Sequence, residues 1–278
     1  MLHFYKMQGI GNDYVYINCF EQHVDDPASL SKRVSDRHFG IGSDGLILLL
    51  PSKNADVRMR MFNADGSEGK MCGNGIRCVG RLAYDSGICR GNVITVETLS
   101  GIKTLRLDVK GGKVAEVTVD MGAPELDADK VPVHYDGKRM INAPVSVGGR
   151  NYHITCVSMG NPHAVVFTRG VENLPIEGIG PDFENSELFP ESVNTEFVEP
   201  EGRSALRMRV WERGSGETMA CGTGACASVV AACLNGICTR GDDVTVHLRG
   251  GDLNIVWNDD SVFMRGPAEY SFTGNIEE

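Results

Sequence analysis

Cys72-Gly73-Asn74-Gly75 and Cys221-Gly222-Thr223-Gly224 are one short pattern that occurs twice in this chain, 149 positions apart. The similarity continues on both sides without a gap, because 11 of the 33 positions in 57–89 are identical to their counterparts in 206–238. Identity held in register over this distance predicts that one structural unit has been duplicated.

The repeat extends further upstream, since Gly11-Asn12 falls on Gly160-Asn161 at the same spacing. A duplication can preserve only a fold, and that structural interpretation stays open. The identities include Cys, Gly and Asn in predicted loops, however, and loops carried by a rigid scaffold are where functional residues concentrate. We therefore take Cys72 and Cys221 as the candidate functional pair.

Two helices are predicted to begin directly after the repeated pattern, over 73–85 and 222–235. A glycine follows the end of each, at Gly87 and Gly236. A further helix is predicted near 27–37. Alternating apolar residues and short apolar runs predict strands in both halves. The predicted strands are 2–8, 13–18, 46–50, 56–63, 92–98, 103–109, 114–121, 152–157, 164–168, 193–199, 206–211, 243–248, 252–257 and 261–265.

The predicted helix over 222–235 has no charged residue and no polar face. Because a helix that is apolar on all sides is buried on all sides, strands should surround it. We predict an α+β protein of two homologous lobes related by a pseudo-two-fold axis, each a curved β-sheet or barrel wrapped around a central helix. The predicted lobes are 1–121, which carries Cys72, and 122–278, which carries Cys221. We expect that the last dozen or so residues can pack against the N-terminal lobe.

Composition and charge exclude several classes of function. A net charge of −10 disfavours nucleic acid as a partner, because a phosphate backbone requires a basic surface. No apolar run is long enough to cross a bilayer, and the first residues lack the basic and apolar regions of a secretory signal. We therefore expect a cytoplasmic protein that acts on a small molecule, without nucleic acid or membrane.

The nine cysteines are predicted to be thiols, because their number is odd and their spacing is irregular. No Cys-x-x-Cys pair typical of a zinc site occurs, so the sequence predicts no metal site. No other cofactor is expected, because the chemistry inferred below for the two thiols needs none. Apart from the repeated pair, the cysteines are interpreted as small buried hydrophobic residues. These are Cys19, Cys78, Cys89, Cys156, Cys226, Cys233 and Cys238.

A cysteine at the start of a helix lies at the positive end of the helix dipole, beside backbone N–H groups that have no partner within the helix. This position lowers the pKa of a thiol, and the N–H groups that follow it form an anion site. Two such units facing one another would hold a substrate between two thiols. We interpret the pair as the base and the acid of a proton transfer across a tetrahedral carbon, titrating as a coupled pair.

Two other interpretations of the cysteines stay open at this point. A thiol hydrolase could pair one cysteine with His163, which follows Asn161-Pro162, although one nucleophile would not explain why the second cysteine keeps the same glycines. A redox or binding module without catalytic activity could use Cys72 and Cys221 only to form a reversible disulfide.

The stretches around both cysteines, taken together, resemble the diaminopimelate epimerase family. The resemblance covers residues 3 to about 270. The stretches that carry it are Phe62–Glu68 before Cys72–Gly75, Glu212–Thr218 before Ala220–Gly224, Gly9–Asp13 and Met159–His163.

The resemblance implies an isomerase that interconverts LL- and meso-diaminopimelate without pyridoxal phosphate and supplies precursors of lysine and peptidoglycan. It implies that Cys72 and Cys221 are the base and acid, and that His163 and Glu212 are catalytic residues that tune them. It also implies a homodimer. The substrate-binding residues implied are Asn12, Asn63, Gly73, Asn74, Asn161, Asn194, Glu212, Arg213, Gly222 and Thr223, of which the glycines, Asn74 and Thr223 would use backbone N–H groups.

Two positions depart from the family pattern. Gly45 stands where some members carry a glutamine that contacts substrate, and Phe272 stands where some members carry a tyrosine implicated in dimer contacts. A related racemase without a cofactor, such as a proline racemase, is the alternative within enzymes. Residues suited to a second amino-acid end, among them Asn194 and Arg213, disfavour that smaller substrate.

Overall fold

The computed structural model describes residues 1–277 and has an α+β fold. The chain forms two compact units. Unit 1 is Met1–Asp120 together with the C-terminal segment that begins at Arg265, and unit 2 is Met121–Met264. The division predicted from the sequence lies between 121 and 122.

The elements follow the chain in this order. They are β1 (Leu2–Gly9), β2 (Asn12–Asn18), α1 (Pro27–Ser35), β3 (Gly45–Leu50), β4 (Val57–Asn63), β5 (Glu68–Gly69), α2 (Gly73–Asp85), β6 (Val93–Thr98), β7 (Gly101–Lys110), β8 (Lys113–Gly122), β9 (Ala143–Val147), β10 (Arg150–Ser158), β11 (Pro162–Phe167), α3 (Ile176–Glu184), β12 (Asn194–Pro200), β13 (Ala205–Glu212), β14 (Gly216–Glu217), α4 (Gly222–Leu234), β15 (Asp243–Leu248), β16 (Gly251–Trp257), β17 (Val262–Gly266) and β18 (Glu269–Ile276).

In unit 1 the sheet carries one helix on each face. Strand β2 pairs in parallel with β3 and antiparallel with β1, and β3 pairs antiparallel with β4. Side chains alternate between the faces of a strand, so Val15 and Ile17 point into the cluster that contains Leu30 and Val34 of α1. Tyr16 points to the opposite face, where its hydroxyl donates to the carbonyl of Gly75 in α2 at 3.2 Å.

Unit 2 repeats this arrangement with the spacing seen in the sequence. Strands β11 and β12 are parallel with His163 opposite Asn194, as β2 and β3 are parallel with Tyr14 opposite Gly45. Helix α4 begins and ends 149 positions after α2, and α3 begins and ends 149 positions after α1. The duplication therefore includes both helices of each unit, and α2 and α4 begin at equivalent positions of the repeat.

Helix α4 confirms the prediction of a helix buried on all sides. Its residues from Ala225 to Ala232 are inaccessible to solvent, and it is packed by β10, β11, β12, β13, β15 and β16. Helix α2 is packed by β1, β2, β3, β4 and β7 in unit 1. Burial of these helices between strands places the first turn of each, with its cysteine, at one end of the unit.

The predicted helices and strands are confirmed to within two residues at each end. Helix α3 was missed, because Gly178, Gly180 and Pro181 give its nine residues a low helix propensity, although its position is that of α1 shifted by the repeat. Strands β9 and β18 and the two-residue strands β5 and β14 were also missed. Among residues 1–277 no helix is both long enough and apolar enough to cross a membrane.

Candidate active site

Each cysteine of the repeated pattern caps the helix that follows it. Cys72 and Cys221 have extended backbones, with φ of −125° and −119°, and each sulfur accepts a hydrogen bond from the backbone N–H three residues on. The donors are Gly75, at 3.3 Å from the Cys72 sulfur, and Gly224, at 3.4 Å from the Cys221 sulfur. A side chain that accepts from this position satisfies one of the N–H groups that the first turn leaves open. The local geometry of the two cysteines is therefore the same.

The Cys72 site contains one of the predicted substrate-binding asparagines. The Cys72 thiol donates to Oδ1 of Asn12 at 3.2 Å. Nδ2 of Asn12 donates to Oδ2 of Asp44 at 2.7 Å, and the backbone N–H of Asp13 donates to the same oxygen at 3.0 Å. Because a carboxylate only accepts hydrogen bonds, Asp44 orients the amide of Asn12 with its oxygen toward Cys72.

Charged side chains form a network around the Asp44 carboxylate that holds Asn12. Arg37 donates to Asp13 and to Asp44, each at 3.0 Å, and the buried Lys6 contacts the other oxygen of Asp13. Burial opposes ionisation of Asp13, but the hydrogen bonds and charges of Lys6 and Arg37 outweigh it and lower the pKa of that carboxyl. Burial, together with the charge of Asp13, raises the pKa of Asp44.

The tyrosine at the start of β2 also lies close to Cys72. Tyr14 is buried, and burial followed by the charges of Cys72 and Asp44 raises the pKa of its phenol well above the usual value. Its position corresponds to that of His163 in unit 2. The repeat therefore places a phenol beside one cysteine and an imidazole beside the other.

The Cys221 site contains a buried histidine and glutamate. His163 and Glu196 are both inaccessible to solvent, and Nδ1 of His163 lies 2.7 Å from Oε1 of Glu196. Nε2 of His163 lies 3.1 Å from Oδ1 of Asn161, whose Nδ2 donates to Oγ1 of Thr223 at 3.3 Å. That hydroxyl lies 3.5 Å from the sulfur of Cys221. A continuous series of polar contacts thus joins Glu196 to Cys221.

The expectation of a low thiol pKa is wrong for Cys221, although the N–H of Gly224 at the helix start does lower it. Burial raises its pKa well above the usual value, and the charges of Glu212 and Glu196 raise it further. The hydrogen bonds from Thr223 and Gly224 act in the opposite direction but are weaker. Burial likewise raises the pKa of Glu212, which accepts a hydrogen bond from Thr218. The Cys221 site therefore favours the neutral thiol.

Of the other predicted substrate-binding residues, several already have intramolecular partners. Asn194 is buried, and its amide bonds the carbonyl of Pro162 at 2.9 Å and the N–H of Arg213 at 3.1 Å. The Arg213 side chain donates to the carbonyl of Glu191 at 2.8 Å. Asn63 is exposed at the end of β4, opposite Gly45 in the register. These residues lie at the strand ends that flank each cysteine.

The first turns of α2 and α4 supply the predicted backbone donors. Gly73, Asn74 and Gly222 are buried, and Thr223 is half-buried. The side chain of Asn74 is held by Arg77, whose Nη1 donates to its Oδ1 at 2.9 Å. The side-chain oxygen of Asn74 thus already has a partner within α2.

The two departures from the family pattern have structural consequences. A Cβ at Gly45 would overlap the carbonyl oxygen of Phe62 and lie 2.9 Å from the ring of Tyr14. With this backbone the position has no room for a side chain. Phe272 on β18 is half exposed, and its ring lies edge-on to Phe4 at 6.0 Å between centroids.

Sequence reasoning missed Tyr14, Asp44 and Glu196. The repeat contained the signal for two of them, since Tyr14 corresponds to His163 and Glu196 corresponds to Ile47 of a wholly apolar strand. A glutamate at the counterpart of a buried isoleucine is unexpected in a duplicated core. Among residues 1–277 no group of three or more His, Cys, Asp or Glu side chains is arranged to hold a metal ion.

Comparison with known sequences agrees with this arrangement. The profile of the family described as diaminopimelate epimerase matches residues 4–126 and 155–271. The chain belongs to the diaminopimelate epimerase family. It is 54% identical over 278 residues to the diaminopimelate epimerase of Acetivibrio thermocellus, with 99% of each chain covered. It is 57% identical over 281 residues to that of Desulfovibrio desulfuricans, with 98% of this chain and 97% of the relative covered.

Solved structures of more distant proteins share the fold of this family member. A phenazine biosynthesis protein of Bacillus anthracis has a TM-score of 0.71 at 16% identity, covering 100% of this chain and 99% of that one. A probable proline racemase of Agrobacterium radiobacter has a TM-score of 0.73 at 15% identity, covering 100% and 93%. At these identities the likeness concerns the fold alone.

Proposed function

We propose that this protein is a cofactor-independent diaminopimelate epimerase, which interconverts LL- and meso-diaminopimelate through Cys72 and Cys221. The observation that carries the proposal is the matched pair of thiols, each the N-cap of a 13-residue helix and each bonded to the N–H three residues on. Membership of the diaminopimelate epimerase family supports the substrate. The product would supply lysine and peptidoglycan synthesis.

In this proposal one sulfur, as thiolate, removes the α-proton, so that the C–H bond breaks and an S–H bond forms. The electron pair stays on the α-carbon and spreads into the carboxylate. The other thiol gives its proton to the opposite face of the carbon and becomes a thiolate, which inverts the configuration. No electrons are gained or lost, and the reverse reaction uses the same two groups in exchanged roles.

The surroundings of Cys221 indicate which of the two cysteines holds the proton before the reaction begins. Because burial and the charges of Glu212 and Glu196 raise the pKa of Cys221, Cys221 begins as the thiol that donates a proton. Removal of the α-proton is then assigned to Cys72, once its thiol has lost the proton that it donates to Oδ1 of Asn12. Glu212 would tune Cys221, since its charge raises the pKa of that thiol. His163 would act through Glu212, because its charge lowers the pKa of that carboxyl.

Substrate binding is assigned to the residues at the strand ends and first helical turns. The N–H groups of Gly73, Asn74, Gly222 and Thr223 would hold the α-carboxylate and stabilise charge as it develops. Amide side chains and a guanidinium would hold the polar groups of the substrate, including its distal amino-acid end. These are Asn12, Asn63, Asn161, Asn194 and Arg213.

The same proposal places the protein in the cytoplasm as a homodimer. A reaction that depends on thiols requires a reducing compartment, and all nine cysteines are present as thiols.

Phe272 of β18 is half exposed and so is available for a contact between subunits. Sedimentation at several protein concentrations tests the dimer, and a single monomeric species throughout would refute it.

The decisive experiment is proton NMR of LL-diaminopimelate with reduced protein in D₂O. Loss of the α-proton signal with appearance of the meso isomer is expected for the wild type and abolished in Cys72→Ala and in Cys221→Ala. Cys89→Ala and Cys238→Ala are the matched controls, because they alter a second cysteine pair related by the repeat, at the ends of the helices. Both controls should retain exchange. Folded, reduced wild type that leaves the α-proton in place would refute the proposed function.

A further inference from the structure

Glu196 is a buried carboxylate in the middle of a strand. It is inaccessible to solvent, and its Oε1 lies 2.7 Å from Nδ1 of His163. Its other oxygen, Oε2, has no hydrogen-bond partner within residues 1–277. Burying an ionised carboxylate is unfavourable unless a partner compensates for the lost hydration. The fold alone would not be expected to place a glutamate here.

The equivalent position in unit 1 shows which kind of side chain the packing of this fold requires there. Ile47 is the counterpart of Glu196, and both lie beneath the third residue after the cysteine. A Cβ built on Gly75 would lie 2.6 Å from Cδ1 of Ile47, and one built on Gly224 would lie 2.5 Å from Oε1 of Glu196. The same contact is thus made by an apolar side chain in unit 1 and by a carboxylate in unit 2. Packing therefore does not explain the carboxylate.

We propose that Glu196 is a positioning residue of the epimerase reaction, which holds the Nδ1–H of His163 so that Nε2 faces Asn161 and the Cys221 site. The proposal rests on the proposed function. A carboxylate and an amide oxygen can only accept, so Nδ1 of His163 donates to Glu196 and Nε2 donates to Oδ1 of Asn161, and these two bonds fix the ring orientation. The contact of Nε2 with Asn161 at 3.1 Å continues through Thr223 to Cys221. The hydrogen bond of Glu196 goes to His163, whereas the sulfur of Cys221 is bonded by Gly224 and Thr223.

Because Glu196 is charged, the proposal can also be tested by a measurement that does not depend on catalysis. This charge is one of the causes that raise the pKa of Cys221, after burial and Glu212. Removing it increases the thiolate fraction of Cys221 at neutral pH. The rate at which iodoacetamide alkylates Cys221 should therefore rise, and peptide mass spectrometry measures it separately from the other cysteines.

The experiment compares Glu196→Gln, which keeps an acceptor for His163, with Glu196→Ile, which introduces the residue of unit 1. We expect both to raise the alkylation rate of Cys221 about threefold or more at neutral pH. Epimerisation should fall about tenfold or more in kcat for Glu196→Ile, with little change in KM, and should be largely restored in Glu196→Gln. Ile47→Val, at the matched position, should change neither quantity.

Cys226, inaccessible within α4, is the internal reference for local unfolding. If Cys226 becomes reactive together with Cys221, Glu196 serves only the stability of the unit and the proposal is overturned. Wild-type kcat and alkylation in Glu196→Ile would overturn it as well. If the alkylation changes are found but no variant, nor the wild type, exchanges the α-proton of diaminopimelate, the proposed function fails while the link from Glu196 to Cys221 stands.

Discussion

At the scale of single residues, the two cysteine sites use the same thiol with different neighbours. Cys72 contacts Asn12, which is held by Asp44, whereas the sulfur of Cys221 contacts Thr223, through which a histidine and a glutamate are linked to it. In the proposed reaction the two thiols titrate as a coupled pair, and the different neighbours bias which of them holds the proton. The thiols are thus repeated, whereas the side chains next to them differ between the two sites.

The buried pair of Lys6 and Asp13 predicts a dependence of stability on pH. Because the pKa of Asp13 is lowered in the folded protein, its contribution is present above the unfolded value and is lost as the pH falls through the folded value. We expect Asp13→Asn to reduce the free energy of unfolding by about 3 kcal/mol at neutral pH, since it leaves Lys6 buried without its carboxylate. Urea unfolding at neutral and acid pH measures the difference. A deficit of the same size well below the ordinary pKa of 3.8 would contradict the assignment.

At the scale of elements, the repeated pattern combines a structural role with a chemical one. The sulfurs of Cys72 and Cys221 cap α2 and α4, whose first turns also present backbone N–H groups. Because glycine follows each cysteine, no side chain covers the first N–H group of the turn. Helix α4 is buried on every side, so the position of its first turn is set by the surrounding strands.

Substitution by serine separates these two roles. Cys221→Ser keeps an oxygen that accepts from Gly224, whereas Cys221→Ala removes the cap and should cost about 1 kcal/mol of stability. Both should abolish epimerisation, because a serine hydroxyl does not ionise in the range where a thiol does. Thermal unfolding beside the NMR assay provides the measurement. Equal stability of the alanine and serine variants would show that the sulfur does not stabilise α4.

At the scale of the whole molecule, the chain returns at its C-terminus to complete unit 1. Strand β18 pairs antiparallel with β1 from Leu2 opposite Ile276 to Gln8 opposite Glu269. The pairing of β18 with β1 in unit 1 is therefore equivalent to the pairing of β9 with β10 in unit 2. Leu2 and Phe4 of β1 are buried core residues, so unit 1 depends on a segment distant in sequence.

Deletion of the chain from Glu269 onward should therefore destabilise unit 1 by several kcal/mol, because it exposes Leu2 and Phe4 and leaves β1 without its partner strand. Hydrogen exchange of the β1 amides should increase strongly, while amides of α4 in unit 2 serve as the reference. Phe272→Ala, which removes one exposed ring but keeps the strand, is the matched control. Unchanged protection of β1 in the deletion variant would contradict this account.

The amino-acid sequence by itself determined the duplication, the positions of α2 and α4, most strands of both units and the cysteine pair. These features are local or periodic: an apolar segment without charge must be buried, and glycine and cysteine at a fixed spacing mark the same turn twice. The tertiary structure alone decided that Glu196 is buried against His163, that Asp44 orients Asn12, and that burial raises the pKa of Cys221. Each depends on burial and on contacts between segments far apart in the chain, and no local pattern of residues records them.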